Sequence, residues 1–114
     1  MTKSFLFKKK PWGNFKQYTQ NEISTVKIIT VNPKETLSKQ KHKNRDELWV
    51  VLDEGLIAEL NDRIWQPQKN EEIFISRGAI HRLSSNKIAR VLEISFGSFD
   101  ENDIERIEDK YGRE

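Results

Sequence analysis

Apolar and polar residues alternate along most of this chain, in short runs that end in turn chemistry. A period of two is the signature of strands with one buried face. Thr25–Val31 (TVKIITV) is rich in β-branched residues and stops at Asn32-Pro33. Glu47–Leu52 (ELWVVL) reads as a strong strand closed by Asp53-Glu54-Gly55. Leu56–Leu60 follows at once, which predicts a hairpin through that glycine. Ile64–Gln66, Glu72–Ser76, His81–Ser84 and Ala89–Phe96 read as further strands, each bounded by polar, glycine or proline residues. Strands this short, recurring about every 8–12 residues, predict an all-β sandwich or barrel.

Only the tail changes period. In Ser98–Tyr111 (SFDENDIERIEDKY) the apolar residues Ile104, Ile107 and Tyr111 recur at helical spacing. Ser98 with Glu101 three residues later resembles a capping box, and Gly112 can end the element. The pattern predicts one short C-terminal helix that packs its Ile/Tyr stripe on the sheet. No repeat, low-complexity segment or Ser/Gly linker marks a boundary, so residues 1–114 read as one domain.

Composition narrows the function classes. With 35% hydrophobic and 33% charged residues and a mean hydropathy of −0.79, the core must be thin. The absence of cysteine excludes a disulfide scaffold, a thiolate zinc site and a cysteine nucleophile. No apolar run approaches a bilayer span, and the N-terminus lacks a signal-peptide h-region, so a cytoplasmic protein without a membrane partner is expected. Neither G-x-x-x-x-G-K-S/T nor G-x-G-x-x-G occurs, which argues against a phosphate-cradling loop of those kinds. Charge is unevenly spread. Residues 1–45 hold 11 Lys and Arg against 2 Asp and Glu, and residues 46–114 hold 9 against 16. Without a nucleic-acid motif, the favoured reading is two solvated faces that pair across the fold, with no nucleic-acid partner.

The two histidines, His42 and His81, set the limit on metal chemistry. On an extended segment Gln40 and His42 share a face, and Glu47 opens the next strand. His81 begins another strand just after the Gly78 turn. An amide oxygen, two imidazoles and a carboxylate form a mixed shell suited to Zn, Mn, Fe, Co or Ni. Lacking a thiolate, such a site would be catalytic rather than structural. By spacing alone, a packed or surface histidine is the commoner outcome in a β protein. Lys39, Lys41 and Lys43 alternate with the Gln40/His42 face and read as solvated, whereas Trp12, Trp49 and Trp65 read as core or interface. Trp49 shares a face with Glu47 and Val51.

Gln40-x-His42-x4-Glu47, followed by Gly55, resembles the first cupin motif with Gln in place of its first histidine. Asn70-x5-Ser76-x-Gly78-x2-His81, with Asn86 downstream, resembles the second. The match narrows further to the type II phosphomannose isomerase domain. Lys10-Pro11-Trp12-Gly13-Asn14-Phe15 is similar to its R-P-W-G-x-Y opening, and VKIITVNPK (26–34) to its K-x-I-x-V-x-P-G. LSKQKHKNRDELWVV (37–51) resembles L-S-x-Q-x-H-H-H-R-x-E-H-W-x-V, and ISRGAIHRL (75–83) resembles I-P-x-G-x-x-H-R-L. LEISFG (92–97) and NDIERIEDKYGR (102–113) resemble the family's closing motifs. The departures are Lys43, Asn44 and Leu48 where the family has histidines, Ser76 for a proline and Ser95 for a glutamine.

The resemblance implies a cupin-type double-stranded β-helix (jelly-roll) barrel with a short C-terminal helix. It implies metal-dependent interconversion of mannose 6-phosphate and fructose 6-phosphate through a cis-enediol. Gln40, His42, Glu47 and His81 would hold the divalent ion. Arg45 is the candidate catalytic cation, and Lys27, Arg45, Arg90 and Arg113 are candidates for contact with the phosphorylated sugar. Whether Lys27 faces inward depends on the regularity of its strand, and Arg82 is expected at the surface. No residue identifies itself as the proton-transfer base. The family usually carries a sugar-1-phosphate guanylyltransferase domain ahead of this one, which these motifs do not cover. A homodimer is expected, since barrels with an exposed edge strand pair edges. The alternative is a non-catalytic or differently specific metal-binding cupin that recognises a sugar or sugar nucleotide.

Overall fold

The computed structural model describes residues 5–114. Their period-two segments fold into strands β1 (Leu6–Lys10), β2 (Gly13–Gln17), β3 (Ser24–Val31), β4 (Lys39–Lys41), β5 (Asp46–Val51), β6 (Leu56–Leu60), β7 (Arg63–Trp65), β8 (Glu72–Ile75), β9 (His81–Ser85), β10 (Ala89–Phe96) and β11 (Glu105–Glu108). Two antiparallel sheets form the barrel, one in the order β3-β10-β5-β8 and the other β11-β4-β9-β6-β7. A separate hairpin, β1-β2, precedes them.

The alternation places a core between the sheets. Val31, Trp49, Val51, Leu56, Ala58, Ile73, Leu83, Ala89 and Val91 are all under 5% exposed and pack into one cluster. β5 is apolar on both faces because both are covered. Its Trp49 and Val51 face this core, while Leu48 packs outward with Ile94 and Phe96 beneath Phe5 and Tyr18. Tyr18 fastens that N-terminal cover by donating its hydroxyl to Glu72 Oε2 at 2.6 Å. Burial, together with that bonded carboxylate, pushes the phenol up to about 12.

Two sequence expectations need correction. The segments around Gly55 do not form a hairpin, since β5 lies between β10 and β8 and β6 lies between β9 and β7. Val51 and Leu56 each need an apolar neighbour, and they find it across the barrel rather than along one sheet. Gly55 makes the crossing, with φ +109° and an approach so close that a Cβ would lie 2.6 Å from Lys87 Cγ.

Nor does a helix form over residues 98–111. The described residues contain none, and the tail instead runs as a loop into β11, which pairs antiparallel with β4. Sheet pairing gives the edge of β4 its backbone partners. It also sets Glu105 opposite Lys41 and Glu108 opposite Lys39, with ion pairs of 3.4 and 3.7 Å. At this edge, two cations of the basic first half meet carboxylates of the acidic second half. Ile107 and Tyr111 remain exposed rather than forming a helical stripe.

Candidate metal centre

The segment between β4 and β5, the start of β5 and the start of β9 bring His42, Glu47 and His81 together. All three are under 5% exposed. His42 Nε2 and His81 Nε2 each lie 3.7 Å from Glu47 Oε1, and one ligand atom from each residue falls within 4.8 Å of the others. The surroundings fix which atoms are bare. His42 Nδ1 lies 2.7 Å from the Asp103 carbonyl and His81 Nδ1 lies 3.0 Å from the Ala79 carbonyl. A carbonyl only accepts, so each Nδ1 carries a proton, and it is the Nε2 of each ring that can offer a lone pair. Burial pulls the His81 pKa down, which keeps that ring neutral. Glu47 Oε2 accepts from Arg45 Nε at 2.9 Å and from Ser95 Oγ at 3.1 Å.

Glu47 Oε1 and His81 Nε2 are buried without a hydrogen-bond partner. Each such orphan costs about 1–3 kcal/mol. A divalent cation fits this donor set. Two ligands at about 2.0–2.2 Å from one ion are themselves about 3–4 Å apart, and the observed separations are close to that. Carbonyl-oriented imidazoles and a hydrogen-bonded carboxylate are also the usual support around a metal. Arg45 Nη2 lies 3.4 Å from His42 Nε2, at the outer limit of a hydrogen bond.

The cluster adjoins a cavity of about 610 Å³ between the sheets, whose wall includes Gln40, His42, Glu47, Trp49 and Glu93. Glu93 accepts from Trp49 Nε1 at 3.2 Å. Burial, and then the charge of Glu47, pushes its carboxyl up to about 7. The loop of residues 97–104 crosses the cavity mouth. Phe99 lies under both Lys27 Nζ, 4.1 Å from the ring centre, and Arg45 Cζ at 4.5 Å. Arg45 Nη1 donates to the Asp100 carbonyl at 3.0 Å, and the Asp103 carboxylate accepts the Lys43 and Asn44 amides at 2.9 Å each.

Of the residues singled out from sequence, Gln40, His42, Arg45, Glu47 and Lys27 line this cavity, and His81 stands beside Glu47. Gln40 Oε1 accepts from Ser38 Oγ at 3.3 Å. Lys27 faces inward with Ile29, since β3 keeps its alternation. Arg90 and Arg113 do not reach the cavity. Arg90 alternates with inward Ala89 and Val91, so it points outward, half-exposed, onto Asp53 at 2.8 Å. Arg113 folds back on Asp109 at 2.7 Å, beyond β11. Three residues of the wall went unnamed in the sequence reading. The inward parity of Glu93 between Val91 and Ser95 was a usable signal. Phe99 and Arg106 were hidden because their segment read as a helix.

Residues 2–109 match the family model described as mannose-6-phosphate isomerase C-terminal. The chain belongs to that family. The mannose-1-phosphate guanylyltransferase ManC of Salmonella typhimurium is 39% identical over 91% of this chain, and the alginate biosynthesis protein AlgA of Pseudomonas aeruginosa is 36% identical over the same share. The chain spans 22% of the length of each. Among solved structures, a double-stranded β-helix protein from Klebsiella pneumoniae superposes with a TM-score of 0.65 at 10% identity, covering 76% of each chain. A cupin-2 domain protein from Shewanella frigidimarina gives 0.57 at 19%, covering 68% of this chain and 72% of that one. The fold is therefore the cupin-type double-stranded β-helix, without the C-terminal helix. Within the family, the substitutions at Lys43, Asn44 and Leu48 fall outside the cluster. Lys43 and Asn44 lie in an exposed turn, and Leu48 packs in the outer apolar group.

Proposed function

We propose that this domain is a metal-dependent aldose–ketose isomerase interconverting mannose 6-phosphate and fructose 6-phosphate. The observation that supports this reading is the pair of bare buried atoms, Glu47 Oε1 and His81 Nε2, beside a polar cavity of hexose-phosphate size. His42, Glu47 and His81 would hold a divalent ion (Zn, Mn, Fe, Co or Ni), with Gln40 completing the shell. Such an ion supplies Lewis-acid stabilisation of the negative charge that develops on the sugar oxygens. Arg45 and Ser95 hold Glu47 through Oε2 and leave Oε1 toward the ion. Glu93 is the group suited to move the proton, because its carboxyl titrates near neutrality inside the same cavity. It takes the proton from C2 of the aldose and returns it to C1, while the O2 hydroxyl proton passes to O1. The loop carrying Phe99 limits water at the mouth.

The test is metal analysis of purified protein together with a coupled assay from fructose 6-phosphate. The reading expects about one ion per chain and turnover that chelation abolishes. Turnover in D2O should leave deuterium at C2 of the mannose 6-phosphate formed. No turnover with any of the five metals would overturn it. Thermal stabilisation by the sugar phosphate without turnover would leave the non-catalytic sugar-binding reading.

A further inference from the structure

β1 and β2 pair with each other and with neither sheet of the barrel. Only the base of this arm is fastened. Phe5 stacks on Phe96 at 6.1 Å between ring centres, and Lys16 and Tyr18 both donate to Glu72 of β8 at 2.6 Å. Beyond the base, all five residues of β1 are exposed, Phe7 at 54%, and Trp12 in the turn is exposed at 74%. A two-stranded hairpin by itself is marginally stable in water. An arm that holds its aromatics in water lacks a cover.

The four-stranded sheet lacks one too. The outer face of an antiparallel sheet normally takes the polar half of the alternation. β3 reverses this: Lys27 and Ile29 turn inward, while Val26 and Ile28 turn outward, each more than half exposed. Their register partners Ile94 and Leu92 lead on to Leu48 and Val50 of β5, so an apolar strip crosses three strands. Phe5 and Tyr18 cover Leu48, Ile94 and Phe96 and leave the β3 side bare. The bare arm and the bare strand lie on opposite sides of one sheet, since the arm is fastened at β8 and β3 is the far edge. A two-fold axis parallel to the strands, between two such faces, sets the β8 side of one copy over the β3 side of the other. The outward residues of β3 are Ser24, Val26, Ile28 and Thr30, none of them charged, and Arg90 opposite Thr30 is already paired to Asp53. Nothing there repels Lys8, Lys9 and Lys10 of the arm, whose stems can lie on apolar surface with their ammonium groups at the rim. Leu6, Phe7, Trp12, Ile23, Val26 and Ile28 leave on the order of 700 Å² in water, close to the about 800 Å² that each partner gives a stable interface.

We propose that the chain is a two-fold dimer in which each copy lays its β1-β2 arm over the β3 side of the other copy's four-stranded sheet. The contact is made twice, once by each arm. It also braces β3, whose inner face carries Lys27 and Ile29 into the cavity wall.

Sedimentation velocity over a dilution series, together with thiol cross-linking, tests it. Wild-type protein should sediment as a dimer that dissociates on dilution. Phe7→Glu on the arm and Ile28→Glu on the face should each weaken the dimer by at least about thirtyfold, because each puts a charge into both copies of the contact. Ile64→Glu alters an exposed residue on the outer face of the five-stranded sheet and should leave the dimer as in wild type. The chain has no cysteine, so introduced thiols report placement directly. A short bismaleimide should join a tagged Trp12→Cys chain to an untagged Ile28→Cys chain, and should not join it to an untagged Ile64→Cys chain. All four positions are exposed, and melting curves certify that each variant folds. The cross-link carries the test if a glutamate variant does not fold. A wild-type monomer at every concentration overturns the proposal, whichever other partner the arm then serves. So does a dimer that survives either Phe7→Glu or Ile28→Glu, one that Ile64→Glu dissociates, or a cross-link from Trp12→Cys to Ile64→Cys in place of Ile28→Cys.

Discussion

At one end of the barrel β10 points Ala89 and Val91 inward, and β5 points Val51 inward beside them. Farther along the same strands the inward positions are Glu93 and Ser95 on β10 and Glu47 on β5. β3 makes the same change, from Val31 and Ile29 to Lys27. Pairing and pleat are identical at the two ends, and only the inward side chains differ. The closed end removes apolar area from water and keeps the sheets in register. The open end can then keep buried atoms without partners, which no isolated site could hold in place. Chemistry is thus confined to alternate positions at one end of strands whose other end supplies stability.

The largest effect should come from damaging the closed end. Leu56, fully buried, should cost about 2–5 kcal/mol when replaced by alanine. Urea denaturation measures the loss, and the folded fraction should still bind one metal ion per chain. If metal binding disappears while the fold persists, the two ends are not separable.

Next is Glu93→Gln. The folded protein keeps this carboxyl protonated up to about pH 7, whereas the unfolded chain releases the proton near its ordinary value of 4.5. Between those values the folded state holds more protons, so stability falls as pH rises through the window and levels off above it. In metal-free protein the wild type should lose on the order of 2–3 kcal/mol across that window relative to Glu93→Gln. Parallel pH–stability curves would show that the open end carries no such strain.

A smaller effect is expected from Asp103→Ala. Its carboxylate ties the Lys43 and Asn44 amides, and its own carbonyl orients His42. Freeing this loop should weaken metal affinity by about tenfold in a competition titration. Unchanged affinity would separate the loop from the cluster. Least of all should come from Arg90→Gln, whose exposed pair with Asp53 lies outside both ends. Melting temperature and metal content should stay as in wild type.

Strand content was legible because burial on one face enforces the period of two. The bounds read for β6 and β10 agree with the structure to the residue. β1 and β2 escaped notice because most of their residues are exposed, so no alternation marks them. The tail misled because Ile104, Ile107 and Tyr111 fit a helical period by spacing alone. What decides that segment is the vacant edge of β4 and its lysines, a partner distant in sequence. Spacing alone brought Gln40, His42, Glu47 and His81 forward only as a weak set, which the resemblance strengthened; Gln40, His42 and Glu47 line the cavity and His81 stands beside Glu47. It could not rank the cations, because pleat parity and loop path separate Lys27 and Arg106 from Arg90 and Arg113.

Trp49 spans the two ends. Its ring sits in the apolar core, its edge meets His81 at 5.5 Å between ring centres, and its indole N–H is bonded to Glu93. Trp12, by contrast, is 74% exposed. Trp49 is therefore a native optical reporter of the cavity. Its emission should respond when Glu93 gains or loses a proton, or when an ion draws the His81 ring, so occupancy of the centre can be followed by fluorescence without a label.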